Sequence, residues 1–483
     1  MKLDDFLILK YNYNPNVRNI IQTYIDQWKS WYQGNVKSFH NYYSYNGLRK
    51  KKRHRYTMNM AKEISEDWSD ILWSEKCEIT MKDEKSQEQF EELVNKLDLY
   101  YVINQALEKS GALGTQSTVV SVYDLIENED KMELDVSNAK TRVDLVDIDW
   151  IYPLSWSNKG ITECAFGSVE YAKGQKYIIL SVHKIADDGN YHIYNHLFKD
   201  TNDLLTEINE EGTANDFNTK SNIPWFSIFR PLLTNNLFSN SPFGIPHYAN
   251  AIDNLKTVDI SFDALKSEID NRRRTFVRSE MLNYDNGTQK MVFDEDDDSV
   301  YVLPKGATAN DMIQSDSADL RTDKQISTLN MALNILGNKV GFGENHYHFD
   351  GTNLSTATAV VSSNSKLYRR KKKLEIGYES SIYDLVKAIC YASSTFGQYN
   401  INTEDMVIQF DDSIIEDKEA ESNRALRELN AGVISKVEYR EKIFGETPEI
   451  AEEEIRKINE NEPGVDELLG TKNENVVIEK EGE

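Results

Sequence analysis

The sequence predicts an α+β protein, with a mixed first half and a second half built on long helices. Three observations lead to this prediction. Short β-branched and aromatic segments alternate with amphipathic segments up to about residue 240. Two narrow apolar seams with helical spacing run along 247–274 and 320–339, and a third helical pattern covers 355–393. At 483 residues, the chain is long enough for about two to four folding units.

Charge and cysteine content narrow the class of protein. The chain has 55 Lys and Arg against 80 Asp and Glu, a net charge of −25 at pH 7. This balance disfavours a protein that grips nucleic acid over a broad face, because such binding needs many cationic contacts to phosphate. Cys77, Cys164 and Cys390 lie far apart, which indicates a reducing compartment and no disulfide framework. With no signal-peptide pattern and no 18-residue apolar run, we expect a soluble cytosolic chain without a membrane partner.

Two amphipathic helices are expected near the N-terminus, over 17–32 and 58–73. The basic run 49–55 (RKKKRHR) lies between them. Such a run fits a nucleic-acid patch or a localisation signal. In so acidic a chain, we favour a solvated loop or a contact to an acidic neighbouring subunit.

Helices and then strands follow in the next segment. Helices are predicted over 86–97, where Ser86 and Gln89 have the spacing of a capping box, and over 99–109. The predicted strands are 117–123, 143–152, 163–171, 177–183 and 192–198, and residues 187–190 (DDGN) form a hairpin turn between the last two. The Gly-rich stretch 111–118 lacks a following Gly-Lys-Ser/Thr, so no NTPase phosphate loop is expected.

The sequence contains only weak patterns for a metal site or a catalytic site. His192 and His196 fall on a predicted strand, where a spacing of four separates them by about 13 Å. His346 and His348 have no third ligand nearby in the sequence. The acidic run Asp294–Asp298 allows a metal-dependent nuclease as an alternative, although a solvated hairpin tip is the favoured interpretation. We therefore expect no enzymatic activity, no metal and no cofactor.

The two long helices have seams that suit packing against neighbouring helices, including those of other copies of the chain. A small excursion with short β segments, 275–319, lies between them. The seam residues are Ile252, Leu255, Val258, Phe262, Leu265 and Ile269 on the first helix, and Ile326, Leu329, Leu333, Leu336 and Val340 on the second. The third long helix has a basic belt, 369–373 (RRKKK), interpreted as a solvated or intersubunit face, with DNA contact as the minority alternative. A strand at 406–410, short acidic helices and a polar tail complete the chain.

Several stretches, taken in this order, resemble the portal proteins of tailed bacteriophages, particularly the branch common in phages of Gram-positive hosts. No single stretch is a catalytic fingerprint, and the resemblance depends on their number and order. They are Trp28–Gly34 with Phe39, His40 and Tyr42; Tyr56–Ile79, especially Met58–Lys62, Asp67, Trp68, Glu75 and Lys76; Ser241–Gly244; Phe349, Asp350, Thr356–Thr358 and Asn364; and Ala431–Ser435.

The resemblance implies a portal-like fold and a ring, usually of twelve subunits, at one vertex of the capsid of the virion. It implies an N-terminal wing (1–240), a first stem helix (241–274), a clip (275–319) and a second stem helix (320–340). The tunnel loop and the start of the long helix (341–362), the second part of the wing (363–415), a helical crown (416–465) and a flexible acidic tail (466–483) would follow.

The resemblance also implies partners and site residues. Double-stranded DNA would pass through the channel, driven by a separate terminase whose large subunit docks on the clip. Head-completion or adaptor proteins, the major capsid protein and scaffold would be further partners. The tunnel-loop residues would be Phe349, Asp350, Gly351, Thr352, Asn353, Leu354, Ser355 and Thr356. Arg272, Arg273, Arg274 and Arg278 would lie where stem and clip meet. Another head structural protein is the remaining alternative.

Overall fold

The computed structural model describes residues 2–45, 50–74, 77–123, 126–128, 133–135, 139–157, 160–201, 204–208, 215–270, 273–278, 300–303, 313–317, 322–348, 357–397, 399–411 and 425–461. The chain divides into two compact units, Met1–Asp411 and Asp412–Glu483. Both helices and strands are well represented, so the predicted α+β class is confirmed.

Helices dominate both ends of the first unit and the described part of the second. In the first unit they are α1 (Leu3–Tyr11), α2 (Asn16–Tyr32), α3 (Lys37–His40), α4 (Met60–Leu72), α5 (Glu84–Leu97), α6 (Leu99–Leu113), α7 (Ile252–Asp270), α8 (Thr322–Val340) and α9 (Ala357–Thr395). In the second unit, residues 425–430 are helical and are followed by α10 (Lys436–Phe444) and α11 (Pro448–Asn461). Short 3-10 helices occur at Ile148–Trp150 and Ala249–Ala251.

The strands are concentrated in the middle of the first unit. They are β1 (Asn41–Tyr45), β2 (Lys50–His54), β3 (Glu78–Thr80), β4 (Gln116–Tyr123), β5 (Ile126–Asn128), β6 (Glu133–Asp135), β7 (Lys140–Val146), β8 (Ile151–Ser157), β9 (Gly160–Ala172), β10 (Gln175–Ile185), β11 (Tyr191–Thr201), β12 (Leu204–Ile208), β13 (Asp216–Asn218), β14 (Phe226–Phe229), β15 (Arg273–Arg278), β16 (Val300–Leu303), β17 (Ile313–Ser317) and β18 (Val407–Gln409).

The largest sheet is an antiparallel meander in the order β12-β11-β10-β9-β8, with β13 paired to β11. The turn between β10 and β11 places Gly189 at φ +81°, a conformation that glycine adopts without a Cβ clash. This confirms the hairpin predicted at 187–190. Helix α1 covers one face of the sheet, where Phe6 and Leu7 pack with Leu180 and Phe198 in a separate small core.

The main core lies between the N-terminal helices, strand β4 and the long helix α9. On α2, the residues Ile21, Ile25, Trp28 and Trp31 recur every three or four positions and are all buried. On α9, the predicted face is buried in the same way, since Leu374, Tyr378, Ile382 and Leu385 are each 0% exposed. The helical periodicity of the sequence therefore identified both surfaces of this core.

Several predicted boundaries are wrong, and specific contacts explain them. The segment 143–152 is divided into β7, a 3-10 turn and β8. Helix α5 begins at Glu84, because the carboxylate of Asp83, and not Ser86, caps it by accepting the Ser86 N–H at 2.9 Å. The basic run 49–55 is not a solvated loop over its described part: Lys50–His54 forms β2, antiparallel to β1.

The first long helix is shorter than predicted. It begins at Ile252 and ends at Asp270, not at 247 and 274. His247 is held elsewhere, since its N–H donates to the Gly111 carbonyl at 2.9 Å. The Tyr248 hydroxyl donates to the Ala112 carbonyl at 2.7 Å. At the other end, Arg273 and Arg274 belong to β15, the central strand of a three-stranded sheet.

Candidate functional site

Helices α7 and α8 lead to and from the small sheet of β15, β16 and β17. They pack against each other along Leu255 and Val258 on α7 and along Leu329, Leu333 and Leu336 on α8. His247, just before α7, and Phe342, just after α8, both contact the ring of Trp68. The start of one helix and the end of the other therefore meet, and the pair is antiparallel.

An aromatic stack on α4 fixes the chain where it leaves α8. The ring of Trp68 is 0% exposed and stacks on Phe342 with centroids 4.7 Å apart and an interplanar angle of 19°. The His247 ring lies 5.5 Å away on the same indole. His346 stacks on Phe342 at 4.2 Å and 5°. The segment 341–346 is therefore held by continuous ring contacts to the main core.

A carboxylate next to this stack holds the last described residues before 349. The Tyr347 hydroxyl donates to Asp67 Oδ2 at 2.5 Å, and His346 Nε2 lies 3.3 Å from the same oxygen. Burial, followed by the charge of Asp67, raises the pKa of Tyr347 well above its usual value. The phenol therefore stays protonated and continues to donate to Asp67. We call Trp68, Phe342, His346, Tyr347 and Asp67 the anchor of the segment 341–348.

The basic belt on α9 is buried at its centre and exposed at its ends. The Lys371 side chain is 0% exposed, and its ammonium contacts Glu375 Oε1 at 3.0 Å and the Asp411 carbonyl. Lys372 lies 3.1 Å from the other oxygen of Glu375. Arg370 packs against the backbone of Gly341, where φ is +108° and a Cβ would come within 2.9 Å of Arg370 Cγ. The middle of the belt thus forms contacts within this chain, so the interpretation as a solvated or intersubunit face is wrong for Lys371, while Arg369 and Lys373 are exposed.

A buried pair joins α7 to the N-terminal segment. His40 Nε2 lies 3.1 Å from Asp259 Oδ2, with the two side chains 0% and 3% exposed. The Val36 N–H donates to His40 Nδ1 at 2.9 Å, so the imidazole proton lies on Nε2 and is donated to Asp259. The Met58 N–H donates to the other oxygen, Asp259 Oδ1, at 2.9 Å. One carboxylate on α7 therefore fixes two parts of the N-terminal chain.

Only some of the predicted site residues can be placed. Residues 349–356, Arg272 and the acidic run 294–298 lie outside the described residues. Arg273, Arg274 and Arg278 lie on β15, the strand that follows α7, and their role at a junction of stem and clip stays a prediction. On the seams, Leu255, Leu329, Leu333 and Leu336 are buried, Ile252, Phe262 and Leu265 are partly buried, and Ile326 is 37% exposed.

The candidate histidines have local partners. His192 lies on β11 with Asp216 Oδ1 2.8 Å from its Nδ1. His196 lies on the same strand and contacts Glu207 and Tyr11. Within the described part of the chain, no group of three His, Cys, Asp or Glu side chains is arranged to hold a metal ion. The three cysteines are buried thiols, which agrees with the absence of a disulfide framework.

Two buried histidines make the fold sensitive to acid. Burial lowers the pKa of both His183 and His247 to about 3, compared with about 6.5 in an unfolded chain. Below pH 6.5 the unfolded chain binds protons that the folded chain does not, so each residue reduces stability by about 1.4 kcal/mol per pH unit down to its folded pKa. We expect the urea midpoint to fall steeply from pH 7 to pH 5.

A variant of one of these residues checks the cause. His183 lies between the Phe166 and Phe226 rings at 5.5 and 5.4 Å, so His183→Phe places a neutral ring there. This variant is expected to lose about 1.4 kcal/mol per pH unit less than the wild type on acidification. His192→Gln is the control. Asp216 raises the pKa of His192, so removing the His192 imidazole is not expected to flatten the dependence of stability on pH. An unchanged profile in His183→Phe would contradict the assignment.

The comparison with known families decides between the remaining classes of protein. The sequence profile of the family described as "Phage portal protein, SPP1 Gp6-like" matches residues 19–466 of the 483. The chain belongs to this family. The match begins within α2 and continues through α11, so it includes the helix pair, the small sheet and the anchor. No curated protein matches the chain significantly.

Family membership establishes a structural role for this portal protein in the phage particle and in DNA packaging. Membership in a portal family implies an oligomeric ring associated with the capsid and the packaging machinery. It confirms the resemblance seen in the sequence, without deciding the host branch. None of the helices in the described ranges is both long and apolar enough to cross a bilayer.

The anchor and the His40–Asp259 pair are the parts of the site that sequence reasoning missed. Phe39, His40, Asp67 and Trp68 all belong to the stretches that carried the family resemblance. Their position in these stretches was the one indication in the sequence that they matter. Nothing in the sequence identified their partners, which lie 200 to 280 residues away.

Proposed function

We propose that this portal protein forms a ring of twelve copies at one capsid vertex. Double-stranded DNA is packaged through the ring by a separate terminase motor and later ejected through it. The ring itself has no enzymatic activity in this proposal. The observation that carries it is the antiparallel pair α7 and α8, which leads to and from a small sheet and has apolar side chains on its outer surface.

Several apolar side chains of the helix pair are exposed to solvent. Met331 and Ile335 lie one turn apart on α8 and are 66% and 47% exposed, and Ile260 on α7 is 48% exposed. Covering such surface stabilises an assembly by about 25 cal/mol per Å². A neighbouring helix pair in a ring, repeated around a closed symmetry, would cover these residues in every copy.

The family resemblance suggests what the individual segments do. In this proposal, α7 and α8 are the stem, and 275–319 is the clip that meets the terminase large subunit and then head-completion or adaptor proteins. The crown is 416–465, and the wing, 1–240 with 363–415, contacts the major capsid protein and scaffold. The segment 349–356 is the tunnel loop, and the anchor on α4 supports this by fixing the chain up to residue 348.

Charge supports a conduit through which DNA slides. Twelve copies would carry a net charge of about −300, so a channel lined by the surface of this chain would repel phosphates. The stretch 351–356 (GTNLST) contains no Lys or Arg. In this proposal the arginines of β15 balance acidic groups around the ring rather than grip DNA.

The test is the particle size and symmetry of the purified chain. We expect mass photometry and negative-stain class averages to show closed rings near twelve copies. Met331→Lys combined with Ile335→Lys should abolish most rings, because two charges would be buried at the subunit contact. Ile185→Lys with Leu204→Lys is the matched control, since those residues are 41% and 61% exposed on the large sheet. A wild-type monomer, or rings that tolerate the Met331 and Ile335 substitutions, would contradict this assignment.

A further inference from the structure

The strands β1 and β2 form a basic hairpin, and one of its faces has no function in the proposal above. In the register, Tyr43 stands opposite Lys52 and Asn41 opposite His54. Alternate residues point to the same face, so Tyr43, Lys50, Lys52 and His54 share one surface. All four are exposed, Tyr43 by 62%, and Lys50 Nζ lies 4.5 Å from the Tyr43 ring centroid. We call these four residues the basic face.

The opposite side of the hairpin is occupied by contacts within the chain. The Arg55 guanidinium lies 4.3 Å from the Phe39 ring and 4.9 Å from the Tyr42 ring. Arg53 Nε donates to Ser44 Oγ at 2.8 Å. The basic face is therefore the side of the hairpin available to a partner.

The hairpin is fixed to α7 at its base. Asp259 accepts hydrogen bonds from His40 and from the Met58 N–H, on either side of the hairpin. One turn further along α7, Asp263 Oδ1 accepts the Tyr56 N–H at 3.2 Å, and Lys266 Nζ lies 3.9 Å from the Tyr56 ring centroid. The basic face is therefore held in place beside one particular helix, and docking on it would not require the base of the hairpin to become ordered.

We propose that the basic face docks on exposed carboxylates of a second copy of this chain. This inference rests on the proposed ring, and it names a contact between adjacent copies. Charge complementarity favours it, because each copy has a net charge of −25 and adjacent copies otherwise repel each other. The location also favours it, because the hairpin is attached to α7, one of the two helices whose apolar surface the ring would cover.

Double-stranded DNA fits the same face less well. Affinity for DNA depends on the number of phosphates neutralised, and nonspecific binding by a few cations is weak at physiological salt. The described basic face offers two lysines and a histidine, in a chain whose overall charge repels phosphate. A protein carboxylate surface carries less charge and requires only a few matched contacts, which a heterologous interface repeats in every copy.

Two variants of the full-length chain test the proposal. In Lys50→Glu with Lys52→Glu, the contact becomes repulsive, and we expect about a tenfold larger dissociated fraction by mass photometry at a salt concentration that partly dissociates wild-type rings. Lys173→Glu with Lys199→Glu is the matched control, because both lysines are exposed, one in the turn between β9 and β10 and the other on β11. Lys50→Arg with Lys52→Arg keeps the charge and is expected to leave ring stability unchanged.

The arginine variant also locates the contact. A carbodiimide joins lysine amines directly to carboxylates, so wild-type rings should give crosslinked dimers on a denaturing gel, with Lys50 or Lys52 identified by peptide mapping. The arginine variant lacks those amines and should lose these crosslinks while its rings persist.

The outcomes separate this inference from the ring itself. Rings of unchanged salt stability in the glutamate variant, or no crosslink between copies at Lys50 or Lys52, would overturn the inference and leave the ring proposal intact. Intact rings that lose affinity for a DNA duplex in the glutamate variant would overturn it in favour of DNA. A wild-type chain that forms no rings would overturn both.

Discussion

Replacing Trp68 by Ala is expected to lower the free energy of unfolding by about 3–5 kcal/mol, the usual cost of deleting a fully buried tryptophan. The side chain is 0% exposed and is contacted by Phe342 and His247. These residues lie just beyond the end of α8 and just before the start of α7, so the cavity would open where the two helices meet. We also expect faster amide exchange at 341–348, because the anchor would lose its central ring.

Two control variants separate the loss of aromatic stacking by Trp68 from a general loss of stability. The indole N–H of Trp68 has no acceptor among the described residues, so Trp68→Phe loses volume but no hydrogen bond and should cost clearly less than Trp68→Ala. Trp156 on β8 is only partly buried, and Trp156→Ala should leave exchange at 341–348 unchanged. Denaturant unfolding and hydrogen exchange measure both effects. Wild-type exchange at 341–348 in Trp68→Ala would contradict the anchor.

Long helices were predictable from the sequence because apolar spacing alone defines them. Helix α8 was expected over 320–339 and runs from Thr322 to Val340, and α9 was expected over 355–393 and runs from Ala357 to Thr395. In both helices a single stripe of apolar residues packs on the core. The spacing of apolar residues in the sequence is therefore the same as the spacing of buried residues in the structure. The start of α7 was missed because His247 and Tyr248 bond to α6, a contact between distant segments that periodicity does not encode.

The basic belt shows where residue type misleads. Lys371 lies on the same face of α9 as Leu367, Leu374 and Tyr378. Its position therefore predicts a buried side chain, although lysine side chains are usually exposed to solvent. Glu375, one turn later, is the partner that allows an ammonium to be buried there. The i,i+4 spacing of Lys371 and Glu375 was visible in the sequence, but the contact of Lys371 with Asp411 was not. A charged pair in phase with an apolar stripe is therefore a signal for a buried ion pair.

The strand within the basic run 49–55 was not predicted, because the composition of the run was given more weight than the neighbouring sequence. Consecutive cations are typical of solvated loops, yet the tyrosines at 42, 43 and 45 on the preceding segment favour a strand. The rings of Tyr42 and Tyr43 also offer faces to cations. The pairing of β1 with β2 places aromatic and cationic residues opposite each other. Reading the two segments together would have predicted the hairpin, but its attachment to α7 through Asp259 spans more than 200 residues.

Replacing Gly114 by Ala is expected to lower the free energy of unfolding by about 4 kcal/mol. Gly114 follows α6 at φ +83°, and a Cβ there would lie 2.5 Å from the Gly244 carbonyl oxygen. Gly244 belongs to Ser241–Gly244, and its own Cβ would lie 2.3 Å from the Gly114 carbonyl oxygen. Two backbones thus meet with no room for a side chain on either. An alanine would add a backbone displacement to the strain of a left-handed conformation.

Gly189→Ala isolates the conformational part of this cost. Gly189 has nearly the same φ, +81°, but no atom lies within 4 Å of where its Cβ would be. Its substitution should cost only the strain of the left-handed conformation, about 1–2 kcal/mol. Urea unfolding of both variants measures the difference, which we expect to be at least about 2 kcal/mol. Equal losses of unfolding free energy in the two variants would show that the backbones at 114 and 244 can separate at little cost. In that case the close approach would not explain why Ser241–Gly244 contains a glycine.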